Sequence, residues 1–143
     1  MSRLVLAVVF LLSLMLVACQ SPNTGTQEPA QIVKVYFEAW NAKQYEKMYT
    51  LVSDGFKSLE PTAATLEKFS SYAASQGISG VRIISADQTY NDGKTATVDY
   101  TVEFTINEKK APFKGAYTLK YKPNDSTPGW KLVHPYGKNI DVS

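Results

Sequence analysis

The most restrictive feature of this sequence is a stretch of almost perfect two-residue alternation from Thr95 to Ile106. Apolar side chains (Ala, Val, Tyr, Val, Phe, Ile) occupy every second position, and Thr, Asp or Glu occupies each position between them. Successive side chains of a strand point to opposite faces of a sheet, so the pattern predicts a strand with one apolar face and one polar face. Such a strand requires neighbouring strands and an apolar layer on one side.

The neighbouring segments supply the rest of an antiparallel sheet. Val81–Ile84 contains three β-branched residues and predicts a first strand, and the Asp-Gly pair in 91–93 is a strong hairpin signal. A turn at 107–110 leads into a second alternating segment, Phe113–Lys122, and Trp130–Val133 predicts the last strand. The sequence therefore predicts a four-stranded antiparallel meander.

The residues before this sheet follow helical spacing. Apolar side chains recur on one face between Ile32 and Trp40, between Tyr45 and Phe56, and between Leu66 and Ala73. Helices followed by an antiparallel meander indicate the α+β class. We expect one domain over residues 29–143, with three N-terminal helices packed on a curved four-stranded antiparallel sheet.

The N-terminus predicts export and lipidation. The mainly apolar run Leu4–Leu16 follows a basic start and is too short for a bilayer span of about 20 residues. It ends at Leu16-Val17-Ala18-Cys19, which resembles the lipobox of bacterial lipoproteins, and Cys19 is the only cysteine. We expect a signal peptide over 1–18, a diacylglyceryl anchor on Cys19 and a flexible tether over 19–28. The alternative is an ordinary secretory signal cut near Ala18.

The resemblance to lipoproteins implies a place in the cell envelope. In a Gram-positive host the anchor would lie on the outer side of the cytoplasmic membrane. In a Gram-negative host, Gln20 after the lipidated residue would direct the protein to the outer membrane. Two acyl chains give stable membrane attachment where one does not.

Composition narrows the chemistry of the mature chain. Acylation of Cys19 leaves no thiol, and one histidine is too few for a multi-histidine metal site, so we predict no metal and no cofactor. Without Arg3 the formal charge falls to +1. That balance and the lack of a basic run predict no nucleic-acid partner.

Three segments resemble the nuclear transport factor 2-like superfamily, which has a cystatin-like cone fold. They are the aromatic helix and its polar break over 33–48, the strand that begins with Thr95-Ala96-Thr97-Val98, and the closing Gly129-Trp130-Lys131-Leu132. The likeness covers about 29–135 and is strongest to bacterial lipoproteins of unknown function. It implies an apolar pocket between helices and sheet, in a superfamily that holds isomerases, dehydratases, binding modules and noncatalytic partners.

Aromatic side chains are the candidates for lining that pocket. The alternative interpretation is that they form an ordinary core, as aromatic stripes at helical or strand spacing usually do. The candidates are Tyr36, Trp40, Tyr49, Phe69, Tyr72, Tyr100, Phe104, Tyr117, Trp130 and His134.

Titratable candidates are few. His134 shares a predicted face with Trp130 and is the only natural acid–base group for an isomerase- or dehydratase-type enzyme. Asp99 and Glu103 fall on the polar face of their strand, where we expect Glu103 to lie near Lys114 in a solvated charge pair. That polar face is also a candidate surface for a homodimer.

We therefore expect a noncatalytic, membrane-anchored binding module for a small apolar ligand or another envelope protein, with no catalytic residues assigned. One alternative is an enzyme that uses His134 in the pocket. The other is a structural or assembly partner that acts through the sheet face.

Overall fold

The computed structural model describes residues 27–143. The predicted signal peptide (1–18), the lipidated Cys19 and nearly all of the predicted tether (19–28) lie outside the described residues. Within 27–143, no helix is long and apolar enough to cross a bilayer.

Four strands form one antiparallel sheet, as the alternation predicted. Their spatial order follows the chain order, β1-β2-β3-β4. The strands are β1 (Ile78–Asn91), β2 (Thr95–Ile106), β3 (Lys109–Lys122) and β4 (Gly129–Leu132). Short helices pack against this sheet, which confirms the α+β class.

Helices precede the sheet and cover one of its faces. Pro29 occupies the first turn of α1, where the missing N–H costs nothing, and Thr65 caps α4 by accepting a hydrogen bond from the Lys68 N–H at 3.2 Å. The helices are α1 (Pro29–Asn41), α2 (Tyr45–Thr50), α3 (Asp54–Leu59) and α4 (Leu66–Ser75), with a 3₁₀ turn at Pro61–Ala63.

The helix predicted from Tyr45 to Phe56 is wrong as a single element, because the chain leaves the helix between α2 and α3. The Leu132 N–H donates to the Leu51 carbonyl at 2.9 Å, and the Ser53 N–H donates to the Leu132 carbonyl at 3.0 Å. The Ser53 hydroxyl then accepts from the Phe56 N–H at 3.1 Å and starts α3. Pairing with β4 therefore replaces one helical turn. The spacing of apolar residues along the chain does not show this pairing.

The first strand is far longer than the predicted Val81–Ile84. Register shifts against β2 occur near Ser79, Ile84 and Thr89. A bulge inserts one extra residue and breaks the two-residue period. The full length of β1 therefore shows no regular alternation, whereas β2 shows it clearly.

The core lies between the helices and the inner face of the sheet. Ala96, Val98 and Val102 of β2 are fully buried, and Asp99 is exposed, as the alternation predicted. Tyr36 and Phe37 of α1 are buried against that face. Each large apolar side chain buried in this way stabilises the fold by about 1.5–3 kcal/mol.

The predicted proximity of Glu103 and Lys114 is wrong by two residues. The turn has only Asn107 and Glu108 at its centre, both with positive φ (50° and 63°), so Glu103 pairs with Pro112. The Glu103 carboxylate instead lies 3.2 Å from Arg82 and 3.5 Å from Lys110. It is still part of a solvated charge cluster on the outer face.

Candidate functional site

A small apolar pocket lies between α1, α2, α4 and the loop that follows β4. Its volume is about 60 Å³. A larger surface depression of about 690 Å³ near Lys43 is lined mainly by polar and exposed residues, so it is a weaker candidate. The apolar pocket is lined by Tyr36, Trp40, Met48, Phe69, Tyr72, Ala73, Gln76, Pro135 and Tyr136.

Helical spacing brings most of these side chains to one place. Tyr36 and Trp40 stand four residues apart on α1, so they share a face. Residues 69, 72, 73 and 76 share one face of α4 and its C-terminal end in the same way. The pocket therefore forms where two amphipathic helix faces meet without filling the space between them.

Trp40, one of the residues that line this pocket, has an unsatisfied polar atom. The indole Nε1 is buried and has no hydrogen-bond partner within residues 27–143. The ring is held by edge contacts with Tyr36 (centroids 6.1 Å apart) and tilted packing on Phe104 (5.6 Å). A buried donor without a partner costs about 1–3 kcal/mol, so an acceptor that reaches it would regain that energy.

The pocket wall is electrically neutral. Its nine lining residues include no Asp, Glu, His, Lys or Arg. Burial raises the pKa of Tyr36 far above its usual range, and neighbouring tyrosines raise it further. Burial also raises the pKa of Tyr136 to about 12, against the lowering effect of its hydrogen bond with Thr62. Both phenols stay protonated near neutral pH, so the wall suits an uncharged ligand and offers no acid–base group there.

Four of the ten predicted pocket residues line this pocket: Tyr36, Trp40, Phe69 and Tyr72. Tyr49 lies just behind it, with its ring centroid 5.3 Å from that of Phe69. Its hydroxyl donates to the Ala63 carbonyl at 3.0 Å. Tyr49 therefore supports the wall but does not line it.

The predicted residues of the sheet pack in the core instead. The Tyr100 centroid lies 4.9 Å from that of Phe37 and 4.6 Å from that of Tyr117, and Phe104 packs on Phe37 at 6.3 Å. Burial raises the pKa of Tyr117 well above its usual range. For Tyr100, Phe104 and Tyr117 the structure favours the core interpretation over the pocket interpretation.

Trp130 and His134 also lie outside the pocket. Trp130 packs its ring against Tyr121, with the centroids 5.7 Å apart. His134 follows the end of β4, is half-buried, and its Nε2 lies 3.0 Å from the Gly137 carbonyl oxygen of the same loop. This arrangement gives His134 a role in holding the loop. Among residues 27–143, no three His, Cys, Asp or Glu side chains gather into a potential metal site.

The most informative residue that sequence reasoning missed is Tyr136. Its ring stacks on Tyr72 with centroids 4.3 Å apart, and its hydroxyl lies 3.2 Å from the Thr62 hydroxyl. It sits in a loop after the last strand, where no periodicity marks it. Gln76 could have been found by extending the α4 face by one turn beyond Ala73.

Comparison with known proteins agrees with this fold. The model of a family described as the NTF2-like N-terminal transpeptidase domain matches residues 28–135. No match was found among curated proteins. A SEC-C motif containing protein from Psychrobacter arcticus is similar in structure, with a TM-score of 0.54 and 11% identity over 76% of this chain. The match spans 59% of that protein's length.

A second similar structure is a putative dehydratase of the NTF2-like family from Streptomyces avermitilis. It has 14% identity and a TM-score of 0.48, over 78% of this chain and 93% of that one. Likenesses at such identities concern the fold alone. The family match covers most of the chain, and on that ground the chain belongs to the family of NTF2-like N-terminal transpeptidase domains.

Proposed function

We propose that this protein is a noncatalytic binding module, held on the outer side of a bacterial membrane through a diacylglyceryl Cys19. Its pocket takes a small, uncharged, mostly apolar group that carries one hydrogen-bond acceptor. The observation that carries the proposal is a mostly apolar pocket without a charged side chain, one of whose lining residues, Trp40, has a buried Nε1 that lacks a partner within residues 27–143.

The size of the pocket limits the ligand. One water molecule needs about 10–15 Å³, so a pocket of about 60 Å³ admits only a small group. Pockets for whole drug-sized ligands measure about 300–1,000 Å³. The occupant is therefore a small molecule or the end of a larger one.

The enzyme alternative has little support from this geometry. His134 stands in a loop against the Gly137 carbonyl and outside the pocket, and the pocket lining holds no Asp, Glu, His, Lys or Arg. General acid–base chemistry needs such a group within about 3 Å of the reacting atom. The proposal is accordingly one of binding without catalysis.

The sheet-face alternative is also less favoured. Along β2 the outer face carries Thr97, Asp99, Thr101 and Thr105, and Asp99 lies directly opposite Asp87 of β1. Two like charges in opposed positions favour exposure to water over burial in a homodimer.

Ligand binding can be tested at Met48, the only methionine within residues 27–143 and part of the pocket wall. The domain is labelled with ¹³C-methyl methionine and titrated with cyclopentanone, which has six non-hydrogen atoms and one acceptor. We expect the Met48 signal to shift with a millimolar Kd. Trp40→Phe keeps an aromatic ring but removes the donor, so we expect about fivefold weaker binding, equivalent to about 1 kcal/mol.

Trp130→Phe is the matched control, because Trp130 is buried outside the pocket. It should leave the Kd within twofold. An unshifted Met48 signal, or equal Kd values for Trp40→Phe and the parent protein, would reject the pocket proposal.

Anchoring is tested separately in a bacterial expression host. The full chain should incorporate labelled palmitate and sediment with membranes, and Cys19→Ser should lose both properties. Palmitate incorporation into Cys19→Ser would refute the proposed site.

A further inference from the structure

One wall of the apolar pocket is made by a loop and not by a helix. Residues 134–140 follow β4 and contain no helix or strand, and we call them the pocket loop. Pro135 and Tyr136 of this loop line the pocket. The other lining residues belong to α1, α2 and α4 or directly follow α4. The pocket loop is therefore the wall that can move without breaking a helix.

The pocket loop is fixed at its base and weakly held between its ends. The Asp141 N–H donates to the Val133 carbonyl at 3.0 Å, and both residues are buried. Within the described part of the chain, no residue from 134 to 140 forms a backbone-to-backbone hydrogen bond. Segments with few such bonds open at a lower free energy than the core does. Side chains therefore decide whether this loop stays in place.

Tyr136 closes the pocket on the side of this loop. Its ring centroid lies 4.3 Å from that of Tyr72, 5.3 Å from that of Phe56 and 6.1 Å from that of Phe69. Tyr72 and Phe69 also line the pocket. Movement of Tyr136 away from these rings would open the pocket to solvent.

A single carboxylate contacts the pocket loop at two points. Glu60 follows α3, and its Oε1 accepts a hydrogen bond from the Thr62 hydroxyl at 2.8 Å. The Thr62 hydroxyl also lies 3.2 Å from the Tyr136 hydroxyl. The Asn139 side chain donates to the Glu60 Oε2 at 3.0 Å. Glu60 thus holds residue 139 directly and residue 136 through Thr62.

Gly137 lets the loop approach this carboxylate closely. Its φ of 76° lies in the left-handed region, which glycine adopts without strain. A Cβ at this position would lie 2.9 Å from the Glu60 Oε2. A larger residue would therefore crowd the carboxylate at its contact with Asn139.

The Glu60 carboxylate is held by neutral groups. It forms no ion pair within residues 27–143. The hydrogen bond from Thr62 lowers the pKa of this carboxyl, burial acts in the opposite direction, and the bond from Asn139 lowers it again. Hydrogen bonds to a charged acceptor are about twice as strong as those between neutral groups. Removing this one carboxylate would therefore weaken both contacts with the loop.

We propose that Glu60 is a positioning residue that latches the pocket loop shut, and that a ligand enters when Tyr136 moves away from Tyr72. The deep wall of the pocket is otherwise closed, because Met48 and Phe69 are at most 1% exposed. This inference rests on the proposed function, since it concerns how a ligand reaches the same pocket.

Oxidation of Met48 by hydrogen peroxide tests the latch without any ligand. Met48 is the only methionine within residues 27–143 and is 1% exposed, so peroxide reaches its sulfur only when a wall of the pocket opens. Residues 27–143 contain the whole core and serve as the sample. Mass spectrometry follows the sulfoxide at Met48 over time, and melting curves confirm that each variant is folded.

The rate of oxidation should follow the fraction of time for which the loop is open. We expect Glu60→Ala to be oxidised about fivefold faster than the parent protein. Glu60→Gln keeps a hydrogen-bonding group of the same length, so its rate should lie between the two. Glu38→Ala removes an exposed carboxylate of α1 and should leave the rate within about twofold.

Hydrogen exchange distinguishes a latch from a general loss of stability. Val98 is fully buried in β2, between β1 and β3, so its amide exchanges only when the core unfolds. We expect Glu60→Ala to leave this exchange rate unchanged while Met48 oxidation accelerates. Equal acceleration of both would overturn the proposal, because Glu60 would then stabilise the whole fold. Unchanged oxidation of Met48 in Glu60→Ala would also overturn it.

Failure of the latch and failure of the pocket proposal give different results. Met48 oxidation is measured without ligand, so it does not depend on whether cyclopentanone binds. A Met48 signal that cyclopentanone does not shift rejects the ligand, whereas Met48 oxidation that Glu60→Ala does not accelerate rejects the latch.

Discussion

Two regions of this domain bury polar groups. In one region the buried group has partners, and in the other it has none. At the C-terminus, Asp141 is only 2% exposed, and its Oδ1 accepts hydrogen bonds from the Ser143 N–H and hydroxyl. Its buried Oδ2 makes no hydrogen bond within residues 27–143 but lies 2.9 Å from the Lys122 ammonium, so a charged partner faces it. At the pocket, the Trp40 Nε1 is buried with no partner in residues 27–143. A buried polar group that has partners stabilises the fold. A buried donor without a partner can form a new hydrogen bond when a ligand supplies an acceptor.

The region around Asp141 is built to accept that carboxylate. The Asp141 N–H donates to the Val133 carbonyl at 3.0 Å, which fixes the chain beside the end of the sheet. Gly55 leaves the space for it, because a Cβ there would collide with the Asp141 carboxyl group. We call this arrangement the C-terminal clamp.

The largest expected effect comes from breaking the clamp with Asp141→Ala. The side chain of Lys122 is 12% exposed and would lose its charged partner. Removing one member of a buried pair costs about 3–5 kcal/mol, so we expect a loss near 3 kcal/mol in urea unfolding. Asp87→Ala, at an exposed site, should change stability by less than about 0.5 kcal/mol. A loss of similar size in both variants would contradict the clamp.

The second largest loss of stability should come from lowering the pH, which protonates the carboxylate of the C-terminal clamp. Burial alone would raise the pKa of Asp141, but contacts from Ser143, Lys122 and Ser53 lower it to about 2. Because the pKa is lower in the folded state, the ionised carboxylate stabilises the fold above pH 4. The protein loses this stabilisation as the pH falls toward 2 and the carboxylate becomes protonated. The contribution is about 2 kcal/mol, from roughly 1.36 kcal/mol per pKa unit. Unfolding measured from pH 6 to pH 2 should show this loss, and Asp141→Asn should lack it.

Substitutions of the two tryptophans should change the free energy of unfolding by smaller amounts. Trp130→Phe removes packing against Tyr121 and should cost about 1 kcal/mol. Trp40→Phe also loses packing, but it removes an unpaired buried donor, so the two effects should nearly cancel. Chemical denaturation of both variants without ligand checks this. A loss at Trp40 larger than that at Trp130 would mean that its N–H is already bonded.

Tyr136→Phe should have the smallest effect. It removes the contact between the Tyr136 and Thr62 hydroxyls at 3.2 Å but keeps the stack on Tyr72. One hydrogen bond contributes about 0.5–1.5 kcal/mol, and this one is only partly buried, so we expect the lower end of that range. Thermal melting should show a shift of only a few degrees. An unchanged Kd for cyclopentanone would show that the hydroxyl does not contact the ligand.

Local patterns predicted the sheet and most of the helices because each depends on neighbours along the chain. The alternation of β2 identified the buried positions Val98 and Val102 correctly. Ser53 shows the limit, because the break between α2 and α3 depends on pairing with Leu132, which lies 79 residues away. The bulges of β1 hid most of that strand for a related reason.

The pocket was less accessible to sequence reasoning than the fold. Aromatic stripes indicate which side chains face inward, but they do not tell a filled interior from a cavity. Tyr36 and Tyr117 illustrate this, because both are buried tyrosines and only Tyr36 lines the pocket. The distinction depends on how closely α1 and α4 approach each other.

The most direct test is a ¹H–¹⁵N spectrum of the indole groups of residues 27–143, which contain only Trp40 and Trp130. During titration with cyclopentanone, we predict that the Trp40 indole proton moves downfield as its N–H gains an acceptor, while the Trp130 signal stays in place. Two stationary signals at ligand concentrations that shift the Met48 methyl would contradict the central claim, because the ligand would then occupy the pocket without using the unpaired donor.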